Sequence, residues 1–498
     1  MKRSTFLLWL IFALTLAIRL KFAFSTANFS SDNAYFILRQ VEHITHQGIP
    51  LFTDTLSHAG RTLLFNPLFM YVLAFFNVFL PLHLVAKILP NIFISSIVFI
   101  IYRLVIQSTN NENIALLGAV ISPFIPIFFV TTLNDISVFS LIIPLLFLSL
   151  YYFVNIKHDK KYGIKAALTI SAIALLHPSS IIYILAFVLY YIFIKVEGLQ
   201  TNQAENEVMI FSTLFIIFSQ FLIFRNALLL HGTQLLTLNI PPSLLQNYFQ
   251  DFTLLQATYQ IGLIPLFYGI YVIYRYLFRE HQKNIYLFIS FVFAAGILLW
   301  FKLIPFTSGL MILGSVLLLL FAQRFKLSIN YIQKTKFAKW ESYFLALIFT
   351  SFLLTSILPA IVLGAQTTSE AYSDNEIEAF TWLQNTPESS IILSKIDDGH
   401  LITHLGKRKN VMDSNFLMIA NTQQRAQDIE RLYTTFSQTE AYTITAKYNV
   451  NYIIFSESIK EYYQIHELDI FDRKCLKTVY KNDEVRIFEV LCKVEEVI

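Results

Sequence analysis

Apolar runs recur along the first three quarters of this 498-residue chain. They lie near 5–24, 84–104, 113–131, 137–154, 164–178, 179–196, 207–224, 259–277, 284–301, 302–321 and 341–363. Each approaches the roughly 20 residues that a helix needs to cross a bilayer. The pattern predicts a polytopic α-helical membrane protein with about 11–12 transmembrane helices. A further apolar run, 65–80 (FNPLFMYVLAFFNVFL), starts at Asn66-Pro67 and would invert every later loop if it crossed. It is expected to lie as an interfacial or re-entrant helix against the other spans.

Basic residues cluster in Lys2/Arg3, Lys157/Lys160/Lys161, Arg275/Arg279/Lys283 and Arg324/Lys326/Lys334/Lys336/Lys339. With eleven spans all four groups fall on one side, the cytoplasmic one by the positive-inside rule. The N-terminus is then cytoplasmic and everything after 364 external, on a multi-pass plasma-membrane protein. The first run follows Lys2 and Arg3 but no clean cleavage site succeeds it, so it is expected to stay as an anchor.

After residue 364 the pattern changes. Ser373-Asp374 followed by Glu376 is a helix start. Short β-type runs occur at 390–396, 408–413, 449–456, 477–482 and 485–490, with helical patterns at 421–437 and 440–448. The alternation predicts a soluble α/β domain over 365–498 behind a membrane domain over 1–364. The principal external loops are then 25–83 and 225–258.

Composition sharpens this division. Hydrophobic residues make up 55% and charged residues 14%, against about 25% charged in soluble proteins, which excludes an ordinary cytosolic enzyme. Residues 1–364 carry 23 Lys and Arg against 12 Asp and Glu, and 365–498 carry 14 against 21. No basic cluster coincides with a soluble fold, so nucleic acid is not an expected partner. Cys475 and Cys492 both lie in the tail, where one disulfide is possible.

Candidate chemistry sits in the first external loop, SSDNAYFILRQVEHITHQGIPLFTDTLSHAGR (30–61). A helix should start at Ser31-Asp32 and stop at Gly48. Ile37, Val41 and Ile44 form its apolar stripe, with Arg39, Glu42, His43 and His46 opposite. One reading makes this an interfacial helix with Asp32 as its N-cap. The other makes Asp32 a carboxylate held just outside the bilayer, able to ligate a divalent cation or accept a proton. Asp135, in the turn TTLNDIS, is a second acid on the same face, where it either caps the next span or supplies oxygen for Mg²⁺ or Mn²⁺.

The stretch from Asp32 through Asn33, Arg39, Glu42 and His43 to Gly60-Arg61 resembles the first external loop of the oligosaccharyltransferase catalytic subunits, membrane glycosyltransferases of the GT-C fold. The NDIS turn resembles the second acidic motif of that family. In the tail, Lys395-Ile396-Asp397-Asp398-Gly399 stands where the family has WWDYG, keeping Asp397 and Gly399 but neither tryptophan, and NVNYIIFS resembles a closing strand of archaeal members. The likeness implies a short, divergent archaeal-type member with a polyprenyl-linked sugar donor, a protein or glycan acceptor and a Mg²⁺ or Mn²⁺ cofactor. Asp32 and Asp135 would be catalytic and metal-binding. Arg225 and Lys302, at external span ends, would meet the donor phosphate, and Asp397, Asp398 and Gly399 the acceptor, with Asn33, Arg39, Glu42 and His43 supporting.

Departures also stand out. The stretch QLLTLNIPPSLL has no acid, leaving Asp251 the only carboxylate of loop 225–258, and Lys302 stands where the family has arginine. Glycan transfer to protein asparagine is therefore weighed against transfer of a single sugar from a polyprenyl monophosphate to a lipid, glycan or protein hydroxyl. A catalytically inactive glycan-binding relative is a third alternative. A transporter lacks support, because no inverted pattern of Gly/Pro-broken helices occurs.

Overall fold

The computed structural model describes residues 3–235, 241–242, 244–245, 253–336, 338–468 and 475–492. Lys2 and Asp251 lie outside the described residues. All eleven expected spans are helical. Six helices have the length and apolar composition to cross a bilayer: Arg3–Ala23 (α1), Leu82–Gln107, Pro178–Val196, Gln203–His231, Lys283–Trp300 and Ala346–Asn385. Two bent pairs raise the number to eight, Glu112–Phe124 with Pro126–Thr132 (41°) and Leu254–Ile261 with Leu263–Phe278 (95°). The second bend falls at Gly262, whose φ of +96° belongs to the left-handed region that suits glycine. The other three expected spans are shorter helices, Phe139–Asn155, Lys161–Leu176 and the apolar part of Phe306–Gln333.

Residues 65–80 form only a ten-residue helix, α3 (Leu68–Asn77), about 15 Å long and half of what crossing needs. Phe69 and Leu73 are buried while Phe75 and Phe79 are exposed, the amphipathic division of an interfacial element. Before it runs α2 (Asp32–Gln47), ended by Gly48 at φ +78° with its N–H bonded to Ile44 O. The Ile37, Val41 and Ile44 stripe is buried as expected. Strands β1 (Thr53–Asp54) and β2 (Arg61–Thr62) then pair as a small antiparallel hairpin, too short to leave an alternating signature in sequence.

After helix Leu358–Ser369, Ser373 and Glu376 form a capping box for Asp374–Trp382. A five-stranded sheet follows, ordered β4-β3-β5-β7-β6, from β3 (Ile391–Leu393), β4 (Lys409–Asn410), β5 (Tyr452–Ser456), β6 (Leu476–Lys481) and β7 (Val485–Val490). β4, β3 and β5 run parallel, and β7 and β6 add antiparallel. All five β5 residues are buried, which marks it as the central strand covered on both faces. Cys475 and Cys492 are disulfide-bonded.

Candidate functional site

Ser31, rather than Asp32, is the N-cap of α2, its hydroxyl accepting from Ala34 N–H. That frees the Asp32 carboxylate, in the first helical turn, to face outward from the loop toward the tail. It accepts from His400 N–H at 2.9 and 3.1 Å and from Leu401 N–H at 2.9 Å. The two donors open a helical turn in the tail (Gly399–Leu401), where N–H groups without helical partners suit an anion. Burial raises the Asp32 carboxyl well above its usual range, the two amides oppose this, and Asp398 and Asp397 add to it.

Asp135 joins the same assembly through Ser31, whose hydroxyl donates to Oδ1 at 2.6 Å. Burial raises this carboxyl as well, against the bonds from Ser31 and Ile136. Neither Asp32 nor Asp135 forms an ion pair among the described residues. Two buried acids without a cation are costly unless protonated or supplied with one.

Asp32 opens on a cavity of about 410 Å³ lined by Ser30, Ser31, Asn33, Glu370, Tyr372, Glu376, Lys395, Asp397, Ser414 and Ser458 besides itself. Every lining side chain carries a polar atom, and Lys395 is its one basic residue. Tyr372 spans the rim, its hydroxyl donating to Asp397 O at 2.9 Å. Asp397 and Lys395 face the cavity, whereas Asp398 is buried behind it, accepting from Ser394 Oγ at 2.6 Å and lying 3.7 Å from Lys395 Nζ. Burial raises Asp398 to about 6 despite Lys395. Of the residues expected at the acceptor, Asp398 is thus buried and does not line the cavity, whereas Asp397 does.

Gly399 has a role that its spacing alone does not reveal. A Cβ there would lie 2.4 Å from Asp413 Cβ and 2.5 Å from Met412 O, so only glycine lets the turn carrying the Asp32 donors sit against 412–413. Asp413 is fully buried and accepts from Ser57 Oγ (2.5 Å), Asn410 Nδ2 (3.0 Å) and the Arg61 guanidinium. Burial would raise its carboxyl, but His400, Arg61 and these bonds outweigh that and hold it far below the usual range. The first loop thus grips the tail through Asp32, through Ser57 and through Arg61.

Of the expected supporting residues, Asn33 lines the cavity. Arg39 pairs bidentately with Asp54 at 2.6 and 2.8 Å, Glu42 lies 3.8 Å from His404, and His43 Nδ1 faces Ile49 O at 2.9 Å. These contacts brace the loop. Arg225 and Lys302, expected at the donor phosphate, do not line the cavity. Arg225 is exposed within a helix that runs on to His231, and Lys302 is exposed in the turn after Trp300. Among the described residues, no group of three or more His, Cys, Asp or Glu is placed to hold a metal.

No protein-family model matches the chain, and no curated protein matches it. Solved structures do. The oligosaccharyltransferase of Archaeoglobus fulgidus tethered to an acceptor peptide containing the NVT sequon superposes with a TM-score of 0.70 at 14% identity, over 93% of this chain and 70% of that one. The same enzyme in complex with Zn and sulfate gives 0.64 at 14% identity, over 94% and 71%. ArnT from Cupriavidus metallidurans bound to undecaprenyl phosphate gives 0.52 at 10% identity, over 96% and 97%. The chain has the GT-C fold. The resemblance carried by the first loop and the tail is thereby borne out in architecture.

Within this GT-C scaffold, sequence reasoning missed Arg61 with Asp413, Glu376, Tyr372 and, in a membrane helix, Lys87. Lys87 did leave a signal, a lone cation in the apolar run LHLVAKILPN, and such residues are functional candidates by default. The others are ordinary polar residues; Arg61 and Asp413, for one, meet across 352 positions.

Proposed function

We propose that the chain is a membrane glycosyltransferase that moves a glycan from a polyprenyl-phosphate or pyrophosphate donor to an acceptor on the external face. The carrying observation is Asp32, a buried carboxylate without an ion-pair partner among the described residues, at the mouth of a polar cavity that loop and tail build together. Asp32 aligns the acceptor nucleophile and accepts its proton as the sugar leaves the donor phosphate, with its own position fixed by the His400 and Leu401 amides. Asp397, Lys395 and Tyr372 supply polar contacts for the rest of the acceptor. In this reading residues 1–364 form the membrane domain and 365–498 the external one, with the N-terminus cytoplasmic.

The donor chemistry of the acids fits a hard divalent cation. Mg²⁺ typically takes one or two carboxylates and completes its shell with water and substrate phosphate oxygen, and Asp32 and Asp135 are two raised carboxylates of that kind. Those two residues would hold Mg²⁺ or Mn²⁺, which supplies electrostatic stabilisation to the departing phosphate.

Transfer to protein asparagine is one form of this activity. The second form, a single sugar moved from a polyprenyl monophosphate, is favoured by the all-polar cavity, whose wall holds Lys395 and neither tryptophan of the WWDYG pattern. The deciding experiment is transfer from a polyprenyl-linked glycan pool to a sequon peptide in detergent, with Mn²⁺ and then with EDTA. Metal-dependent glycopeptide establishes the first form. Donor consumed onto lipid or sugar establishes the second, and no consumption of donor refutes both in favour of an inactive relative. Asp32→Asn and Asp135→Asn should each lower the rate at least 100-fold, since charge stabilisation at a reacting centre is commonly worth about 10²–10³ in rate. Wild-type rates in either variant would remove the acid pair from the mechanism.

A further inference from the structure

Lys87 lies in α4 (Leu82–Ser95) and is 1% exposed. Its ammonium carries three N–H donors and meets three acceptors: Thr26 O and Asn28 O at 3.2 Å, and Asn134 Oδ1 at 2.6 Å. The Phe29 ring covers it at 4.5 Å. Every protein oxygen that it reaches belongs to one of two segments, the strand of chain leading into Asp32 or the turn carrying Asp135. Asn134 then ties the same two segments directly, donating through Nδ2 to Asn28 O (3.0 Å) and Ser30 Oγ (2.8 Å) and accepting from Ser30 N–H (3.1 Å). The last bond of the series is Ser31 Oγ to Asp135.

A buried cation inside an apolar helix is expensive, and Lys87 forms no ion pair with an acid among the described residues. Packing alone would be served better by leucine or methionine. A side chain with three donors in one place can instead hold two backbone segments at a fixed spacing while it leaves both carboxylates unpaired. We propose that Lys87 is a positioning residue that sets the separation of the Asp32 and Asp135 carboxylates, and with it the affinity of the pair for a divalent cation.

This rests on the metal assignment above, so the test reads position and metal separately. The full-length protein in detergent, without substrate, is examined for hydrogen exchange over 26–31 and 133–136 and for Mn²⁺ binding by electron paramagnetic resonance. Lys87→Met should speed exchange at both segments and weaken Mn²⁺ binding at least tenfold, and Lys87→Arg should recover much of each. Asn134→Ala, a smaller change on the other side of the strap, should move the same two readouts if Lys87→Met fails to fold. Asn66→Ala serves as the control, because it removes a buried bond to Ala174 O without touching the strap; it should lower stability and leave Mn²⁺ binding unchanged. Unchanged exchange at 26–31 and 133–136 in Lys87→Met, or in Asn134→Ala should Lys87→Met not fold, overturns the positioning role whatever the metal does. Faster exchange in a protein whose wild type binds no Mn²⁺ keeps Lys87 as the spacer and removes the cation from the function proposed above.

Discussion

Replacing Gly399 by alanine tests whether the tail completes the site. The added Cβ would stand 2.4 Å from Asp413 Cβ, 2.5 Å from Met412 O and 2.7 Å from Asp413 Cα. Ordinary contact needs about 3.5–4 Å between carbons, so something must move by roughly 1 Å. Residues 412–413 are not free to retreat, since both are buried and Asp413 is held by Arg61, Ser57 and Asn410. The helical turn at 399–401 must give way, and it carries the amides that hold Asp32. Overpacking of this kind costs about 1–3 kcal/mol, and weakening hydrogen bonds to a charged group adds about 1.5–3 kcal/mol. A displacement of about 1 Å at a reacting group costs on the order of 10²-fold in rate. Gly399→Ala should therefore lower the unfolding midpoint in detergent and reduce glycan transfer about 100-fold. Gly296→Ala, whose Cβ meets nothing within 4 Å, is the matched control and should change neither. A Gly399→Ala protein that melts and turns over like wild type would refute the coupling of tail to Asp32.

Three further outcomes are expected. Arg61→Met strands the buried Asp413 carboxylate, and removal of one partner from a buried pair costs about 3–5 kcal/mol, so thermal unfolding should show a large loss, with Arg61→Lys less severe. Asp398, whose folded value of about 6 lies above its ordinary 3.8, binds its proton more tightly when folded. Its stabilisation is complete below about pH 4 and disappears as pH rises through 6, a contribution on the order of 3 kcal/mol; Asp398→Asn should flatten that slope and raise stability at pH 7. Reduction of the Cys475–Cys492 bond, which closes a 17-residue separation, should destabilise the tail by about 3 kcal/mol, read by unfolding with and without a membrane-impermeant reductant; addition to intact cells also reports which side the tail faces.

The elements legible in the sequence are those with a local signature. Apolar runs found helices at all eleven expected positions, six of them, or eight with the bent pairs, long and apolar enough to cross a bilayer, and five short β-type runs found the five strands of the tail sheet because alternation and flanking turn residues are local. The 95° bend at Gly262 was not legible, since glycine in an apolar run is equally at home in a straight helix. Asp32 and Asp135 stood out because acids are scarce between the apolar runs. What joins them did not: Lys87, Asn134 and Ser31 act through oxygens that no spacing rule brings together. The carboxylate of Asp32 is held by backbone amides, which every residue possesses, so His400 and Leu401 carry no side-chain sign of the task.

Those amides stand 368 and 369 residues beyond the acid that they hold. During synthesis the membrane helices and the first loop leave the ribosome long before residue 400 does. Asp32 therefore waits without its two donors until residues 400 and 401 have been made. A nascent or truncated chain that stops before residue 400 holds Asp32 without these bonds. Formation of the turn at 399–401 is in this sense the step that supplies the Asp32 carboxylate with its donors, and chain order alone sets when that happens.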